Sequence, residues 1–460
     1  MQPISTKTRR LKFWLHLISA YISRYKYSVL AVVLTISAAA YLSMQIWPKI
    51  SRANVVTIGY VGTYSIETIP AEVLQLATQP LITVDQAGKP VPALASHWTR
   101  SDDGKTYVVF LKDNLKWHDE TPFDAKDITI AIKNVQITAL NNKAIEFRLP
   151  NPIASFPTAL DKPVFKKDSF YGTGQFRITN IKRSQNSITQ IEMTPKTKGL
   201  PRVEMRFYQT EDQLQDAIKL GDVKYASVAS ANILENFKNL DVEKTTDHNQ
   251  AIAIFFNTQD PLLSSKELRQ ALYHAIDKSG FDGELAASVI SPLSWAYNPD
   301  VKRYDYNTGR AKELIAKSEA KNPKITLSVV GGLGDVADSV RRNWQDLGIE
   351  VEIKRENSIP GNFQALLAVN EIPRDPDQYS FWHSTQAETN LTKYKDVKID
   401  KLLEDARVAQ DEEERKKLYF DFQKFLMEDA PIALLYHPYK YKVAYKNTKP
   451  LIEKLPASQF

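Results

Sequence analysis

Between Glu371 and Asn390 the chain reads EIPRDPDQYSFWHSTQAETN. Seven side chains in it have the chemistry of ligand recognition: Asp375, Asp377, Gln378, Tyr379, Trp382, His383 and Asn390. Carboxylates, an imidazole, amides and aromatic faces within 16 positions are the mixture expected of a pocket, where aromatic surface buries a ligand and a few polar groups orient it. Pro373, Pro376 and the aspartates are also turn formers, so the same run reads as a surface turn as well. Tyr64, in the loop after the opening strand, and Asn257, just beyond a strand-like run, are further candidates. Capping or packing competes with binding as the explanation for each of these two.

Other chemistries find little support. The chain has no cysteine, which removes disulfides and thiolate nucleophiles, and it has no GxSxG elbow. Seven histidines are scattered, without HExxH or a paired metal spacing, so no metal is expected. GGLGD at Gly331 sits between a strand and a helix but lacks the GxGxxG spacing of a dinucleotide loop, so no cofactor is expected either. Basic runs such as Arg415 to Lys417 lie on helices beside acidic residues and read as solvated faces, not as a nucleic-acid footprint.

The elements that would position the loop are legible around it. Strand-like runs at Val55 to Tyr60, Val203 to Tyr208, Ala251 to Phe256, Ile325 to Val330 and Val351 to Lys354 alternate with helical patterns, the mark of an α/β fold. Thr210 with Gln213 caps a helix that Gly221 stops, Ser264 with Glu267 opens a second, and Asp411 with Glu414 a third. Asp102, Asp103 and Gly104 form the turn of a hairpin whose returning strand is Thr106 to Leu111. Asp124 with Asp127, followed by Ile128, Ala131 and Ile132, predicts an N-capped helix with one apolar face. Roughly 400 residues beyond the amino-terminal tail exceed one hydrophobic core, so at least two lobes are expected.

The run from Lys89 to Asp127, KPVPALASHWTRSDDGKTYVVFLKDNLKWHDETPFDAKD, closely resembles the signature of the extracellular solute-binding proteins of family 5. YGTGQF at Tyr171, FFNTQDPLL at Phe255, LRQALYHAID at Leu268, KIDKLLEDAR at Lys398 and the stretch from Arg415 to Pro438 continue the resemblance in order. It implies a two-lobed α/β fold of the periplasmic-binding-protein type, class II. The first lobe would span residues 54–248 plus 437–460, the second 249–436, and the chain would cross between them twice. It also implies a binding protein, not an enzyme, that closes on a peptide or other small solute and presents it to an ABC permease and its ATPase; the alternative is a solute-sensing receptor without import. Nickel complexes, haem and oligosaccharides are bound within the family too. An acidic residue in the family's matching loop pairs with the ligand's amino terminus. Ile372 stands at that position here, so Asp375 or Asp377 would take the role.

Location follows from charge. The first 53 residues carry eight basic side chains and no acidic one, and Tyr27 to Trp47 is 21 residues without a charge. That is enough for a helix to cross a hydrocarbon core of about 30 Å. Six of the basic residues precede it, so residues 1–26 are expected in the cytoplasm, 27–47 in the membrane as a single retained anchor, and the rest outside; the rival reading is a cleaved signal peptide, for which Ala38 and Ala40 offer a small-residue site. The net charge of +6 belongs to the tail; the remainder is about −2. With no cysteine to take a lipid, this helix would supply the tether.

Overall fold

A computed structural model describes residues 54–456 apart from Ile233, together with scattered positions between 14 and 41. The anchor expected over Tyr27 to Trp47 therefore lies largely outside the described residues, among which no helix is long and apolar enough to cross a membrane.

Strand β1 (Val55–Val61) opens the fold, followed by a short hairpin of β2 (Ile82–Val84) and β3 (Pro90–Pro92). A separate four-stranded sheet holds β4 (Ala95–Arg100), β5 (Thr106–Leu111), β6 (Gln136–Asn141) and β7 (Ala144–Arg148) in the order β4-β5-β7-β6. Next come β8 (Phe176–Ser184), β9 (Ser187–Pro195), β10 (Arg202–Tyr208), β11 (Tyr225–Val228) and β12 (Leu240–Thr246). The later half supplies β13 (Gln250–Phe256), β14 (Gly283–Leu285), β15 (Lys324–Val330), β16 (Glu350–Glu356), β17 (Ala365–Glu371) and the long β18 (Ile432–Tyr445). Hydrogen bonding runs along β16-β15-β17-β13-β18-β11-β1-β10-β9-β8, with β12 and β14 also paired on β18.

Strand β18 changes partners along its length. Residues 432–436 pair with β13, while residues 439–445 pair with β12. Only three residues, 247–249, join β12 to β13, so both crossings between the two groups of strands lie side by side. Pro438 falls at the change of partner, where its missing N–H removes no ladder bond, and its carbonyl accepts from Asp247 N at 2.9 Å.

Capping fixes the helices as the residue types demand. Thr210 accepts from Gln213 N at the head of α1 (Glu211–Leu220), and Gly221 ends it at φ +79°. Helix α2 (Lys266–His274) starts from Ser265, one residue later than the sequence suggests; its side chain accepts from Leu268 N. Helices α3 (Thr308–Lys317), α4 (Gly334–Gln345) and α5 (Val397–Val408) follow, and α6 (Glu412–Asp429) is capped by Asp411 through Glu414 N. The helix expected after Asp124 is a single 3-10 turn, Ala125–Asp127. Ile128, Ile130 and Ile132 pack onto the core of the four-stranded sheet, and this period of two in β-branched residues outweighs the helical reading.

Among the described residues, hydrophobic cores hold these layers. One fills the later half around Phe256, Leu272, Trp344 and Phe422; a second lies on the four-stranded sheet around Tyr107, Trp117 and Phe147; a third sits between α1 and β18 around Leu214, Ile218 and Val443. The signature residues do structural work. Gly172 N–H donates to His118 Nδ1 at 3.2 Å, which leaves Nε2–H to donate to the Gly174 carbonyl at 3.0 Å. A Cβ at Gly174 would stand 2.3 Å from the Leu76 carbonyl oxygen, so only glycine admits this approach of two backbones.

Candidate ligand-binding site

The loop that follows β17 begins with an anchor. Ile372 is buried, and its N–H donates to the Asn249 carbonyl at 2.7 Å, tying the loop to the crossing segment. Beyond it, aspartates do what the turn chemistry predicts. Asp375 Oδ1 accepts from Asp377 N at 2.8 Å, and Asp377 Oδ1 accepts from Tyr379 N at 3.1 Å. The bends so formed aim the second oxygen of Asp377 away from the loop. It accepts from Ser155 Oγ at 3.0 Å and from Arg407 Nε at 3.0 Å. Ser155 follows the four-stranded sheet, whereas Arg407 lies in the last turn of α5, so one carboxylate joins three distant stretches of chain.

A pocket of about 420 Å³ opens at this junction. Ile132, Val135, Leu149, Ile153 and Phe156 give it an apolar wall; Pro373, Asp375, Asp377, Ser380 and Arg407 give it a polar one, with Lys133 beside them. Asp375 is pushed up to about 6, chiefly by burial, which Arg415 opposes by attraction. The two walls are also joined around the pocket. Ala154 N donates to the Arg407 carbonyl at 2.7 Å, Trp295 N to the Ala87 carbonyl at 3.0 Å, and Lys89 pairs with Glu412 at 2.6 Å. Gly88, at φ +87°, lets the turn of the β2–β3 hairpin meet the Arg374 carbonyl; a Cβ there would sit 2.1 Å from that oxygen.

The remaining candidates from the sequence do not line this pocket. Tyr379 stacks on His383 with ring centres 4.1 Å apart, and the Arg407 guanidinium carbon lies 4.1 Å from its ring centre. His383 is buried; Thr385 N–H donates to its Nδ1, so its Nε2–H faces Glu404 at 3.2 Å. Trp382 is part of the core, and Gln378 is buried with its Nε2 unpartnered. Asn390 donates to the Tyr394 carbonyl at 2.8 Å and accepts from Thr392 Oγ1 at 3.0 Å, organising a turn. Asn257 does the same with the Phe363 carbonyl and Gln259 N. Tyr64 is on the other group of strands, its hydroxyl donating to the Val61 carbonyl and its ring edge-on to Phe207.

Two residues that line the pocket carried no signal in the sequence. Ser155 and Arg407 are 222 and 30 positions from Asp377, and no periodicity links them. Glu371 sits one place before Ile372 at the end of β17. Its carboxyl is pushed up by burial and by Asp247, with Glu72 adding to the effect and Lys440 opposing it. An acid displaced by one position was the clue available, since Ile372 itself points into the core.

The comparisons with known proteins agree with this architecture. The family model described as bacterial extracellular solute-binding proteins, family 5, matches residues 89–136 and 129–391, well over half of the chain. The oligopeptide-binding protein AppA of Bacillus subtilis is 24% identical, over 84% of this chain and 85% of its own length. Among solved structures, NikZ from Campylobacter jejuni in complex with Ni(L-His) superposes with a TM-score of 0.71 at 22% identity, covering 86% of this chain and 94% of that one. B. subtilis AppA in complex with a nonapeptide gives 0.68 at 21% identity, covering 85% and 94%. The fold is thus the two-lobed α/β fold of these binding proteins, and the chain belongs to the family 5 bacterial extracellular solute-binding proteins, which bind solutes and do not catalyse.

Proposed function

We propose that this chain captures peptides outside the cell and delivers them to an ABC permease, closing lobe 249–436 on lobe 54–248 plus 437–460 around the ligand. The observation that carries this reading is the pocket itself, which takes one wall from residues 132–159 and the other from residues 373–407, on opposite sides of the proposed lobe boundary, and is bridged by Ser155, Asp377 and Arg407. A solute held there touches both lobes at once, so it binds the closed form more tightly than the open one, the one condition under which a ligand drives closure. The adjacent crossings at 247–249 and 437–439 form the hinge, and residues 27–47 tether the assembly to the membrane. Within the sequence candidates, Asp375, Asp377 and Tyr379 line or flank the bound solute. Gln378, Trp382, His383 and Asn390 hold the loop in shape, while Asn257 organises a turn of its own and Tyr64 packs apart from the loop against Phe207.

The relatives' ligands support a peptide first and a nickel complex second, since one neighbour holds a nonapeptide and another Ni(L-His). Mass spectrometry of what co-purifies with the full chain, followed by calorimetry with synthetic peptides and with nickel plus histidine, separates the two. Peptide binding in the micromolar range or tighter supports the reading. Binding of the nickel complex alone transfers the chain to the second class, and binding of neither favours a different solute.

A further inference from the structure

The charges around the pocket are unevenly committed. Every oxygen of Asp377 that faces the site already accepts from a protein donor: Ser155 Oγ, Arg407 Nε and Tyr379 N. Asp375 Oδ1 is occupied by Asp377 N, and its carboxylate faces Arg415 and the Thr158 hydroxyl. An incoming ammonium would have to displace a guanidinium from Asp377 and gain little over it. Arg407 is in the opposite position. Of its five N–H donors only Nε is engaged by an acceptor among the described residues, the face of the guanidinium rests on Tyr379, and the group forms part of the pocket wall. Its Nη edge is therefore held in a fixed plane with four donors to spare, the geometry that receives a carboxylate through two parallel bonds. Lys133, exposed at the same pocket and without a partner among the described residues, adds a further positive charge.

We infer that this pocket receives a carboxylate of the ligand on the Nη edge of Arg407, and that Asp375 and Asp377 position that arginine and its surroundings and do not meet a ligand ammonium. The inference rests on the pocket being the ligand site, as proposed above, and names the group the site selects. Tyr379 is the platform, the apolar wall from Ile132 to Phe156 excludes water from the new pair, and Lys133 draws anionic ligands toward the mouth. Peptides with a free or side-chain carboxylate at that position would be preferred over amides of the same sequence.

Two minimal probes test this without knowledge of the natural solute. N-acetylglycine carries a carboxylate and no ammonium, whereas glycinamide carries the reverse. N-acetylglycine at millimolar concentration is expected to raise the melting temperature of the full chain, and glycinamide to leave it unchanged. Arg407→Gln should abolish the response and Arg407→Lys retain part of it. A rise with glycinamide, or with neither probe, overturns the inference, and this comparison needs only the unaltered protein. With peptides, calorimetry should give at least tenfold weaker binding for the carboxy-terminal amide than for the acid, and less than a threefold change on amino-terminal acetylation. Equal affinity for acid and amide would sink the inference while leaving peptide capture intact; a response to N-acetylglycine with no peptide bound would do the opposite.

Discussion

Replacing Ser155 by alanine removes a single bond across the pocket and changes little else. Ser155 is buried, at 8% exposure, and its hydroxyl donates to the Asp377 carboxylate, whose side chain is 13% exposed. A hydrogen bond to a charged acceptor contributes about 1.5–3 kcal/mol when its loss strands the charge. Here the carboxylate keeps Arg407 Nε and Tyr379 N, so the low end applies, about 1.5 kcal/mol or roughly tenfold in an equilibrium constant. On the proposed lobes the bond exists only when they are closed, so the whole effect falls on closure. If the free protein is mostly open, ligand affinity falls by about that tenfold; if it is mostly closed, affinity falls less and the free protein expands instead. Calorimetry with a bound peptide and small-angle scattering of the free protein therefore have to be read together. Unchanged affinity together with an unchanged radius of gyration would refute the assignment of this bond to a closing contact. A lower melting temperature with both of those unmoved would mean that Ser155 merely stabilises the turn of Phe156–Leu160.

Arg269→Met should destabilise the later half of the fold by about 3–5 kcal/mol, because the buried guanidinium donates to the carbonyls of Leu263, Ser264, Asp429 and Ala430; a urea midpoint shift equivalent to less than about 1 kcal/mol would contradict this. Gly174→Ala should cost about 2 kcal/mol or more in thermal unfolding, since its Cβ would meet the Leu76 carbonyl, whereas Gly280→Ala, with open space around it, should be close to neutral. His437 is held below the usual imidazole range, first by burial, against the Gln250 carbonyl that accepts from it. The unfolded chain therefore binds a proton first as pH falls below about 6.5, and stability present above that pH is lost on acidification; His437→Asn should lose less between about pH 7.5 and 5.5 than the parent. Asp375, pushed up to about 6, is flanked by Asp377, Arg415 and the pocket's Arg407 and Lys133, so its protonation leaves the pocket more positive. Affinity for a carboxylate ligand should rise as pH falls from about 7.5 to 5.5, and an affinity that falls instead would indicate an ammonium at the site.

Local chemistry made much of the scaffold legible and little of the pocket. Strands β1, β10, β13, β15 and β16 stand out because β-branched and aromatic residues run together in them, and α1 and α6 because Thr210, Gly221 and Asp411 satisfy orphan backbone groups in the standard way. The β6–β7 pair did not, since QITALN and AIEFR are short and half polar, and the isoleucines before them imitate a helix face until their period of two is weighed. At the site, seven residues clustered within one loop, yet only Asp375 and Asp377 reach the pocket wall. The partners that give those two their chemistry, Ser155, Arg407 and Arg415, come from other elements, and pairing across such distances is set by packing that no local window contains.

Closure needs a ligand whose interactions strengthen when the two walls meet, and the arrangement of Arg407 supplies that dependence for an anion. In the open form its Nη edge would face water, where an arginine–carboxylate pair contributes little. Bringing the wall of Ile132, Leu149 and Phe156 over the pair removes that water, and the same two bonds then act in a lower dielectric, so the free-energy gain belongs to the closed state. The cost of leaving the guanidinium dry is already offset by Asp377 and by the face of Tyr379, which is why the arginine can be held in place before any ligand arrives. An ammonium approaching the same pocket has no such advantage. It would have to displace Arg407 from Asp377, a pair that lies within residues 249–436 and exists before the walls meet, so closure adds nothing to the exchange.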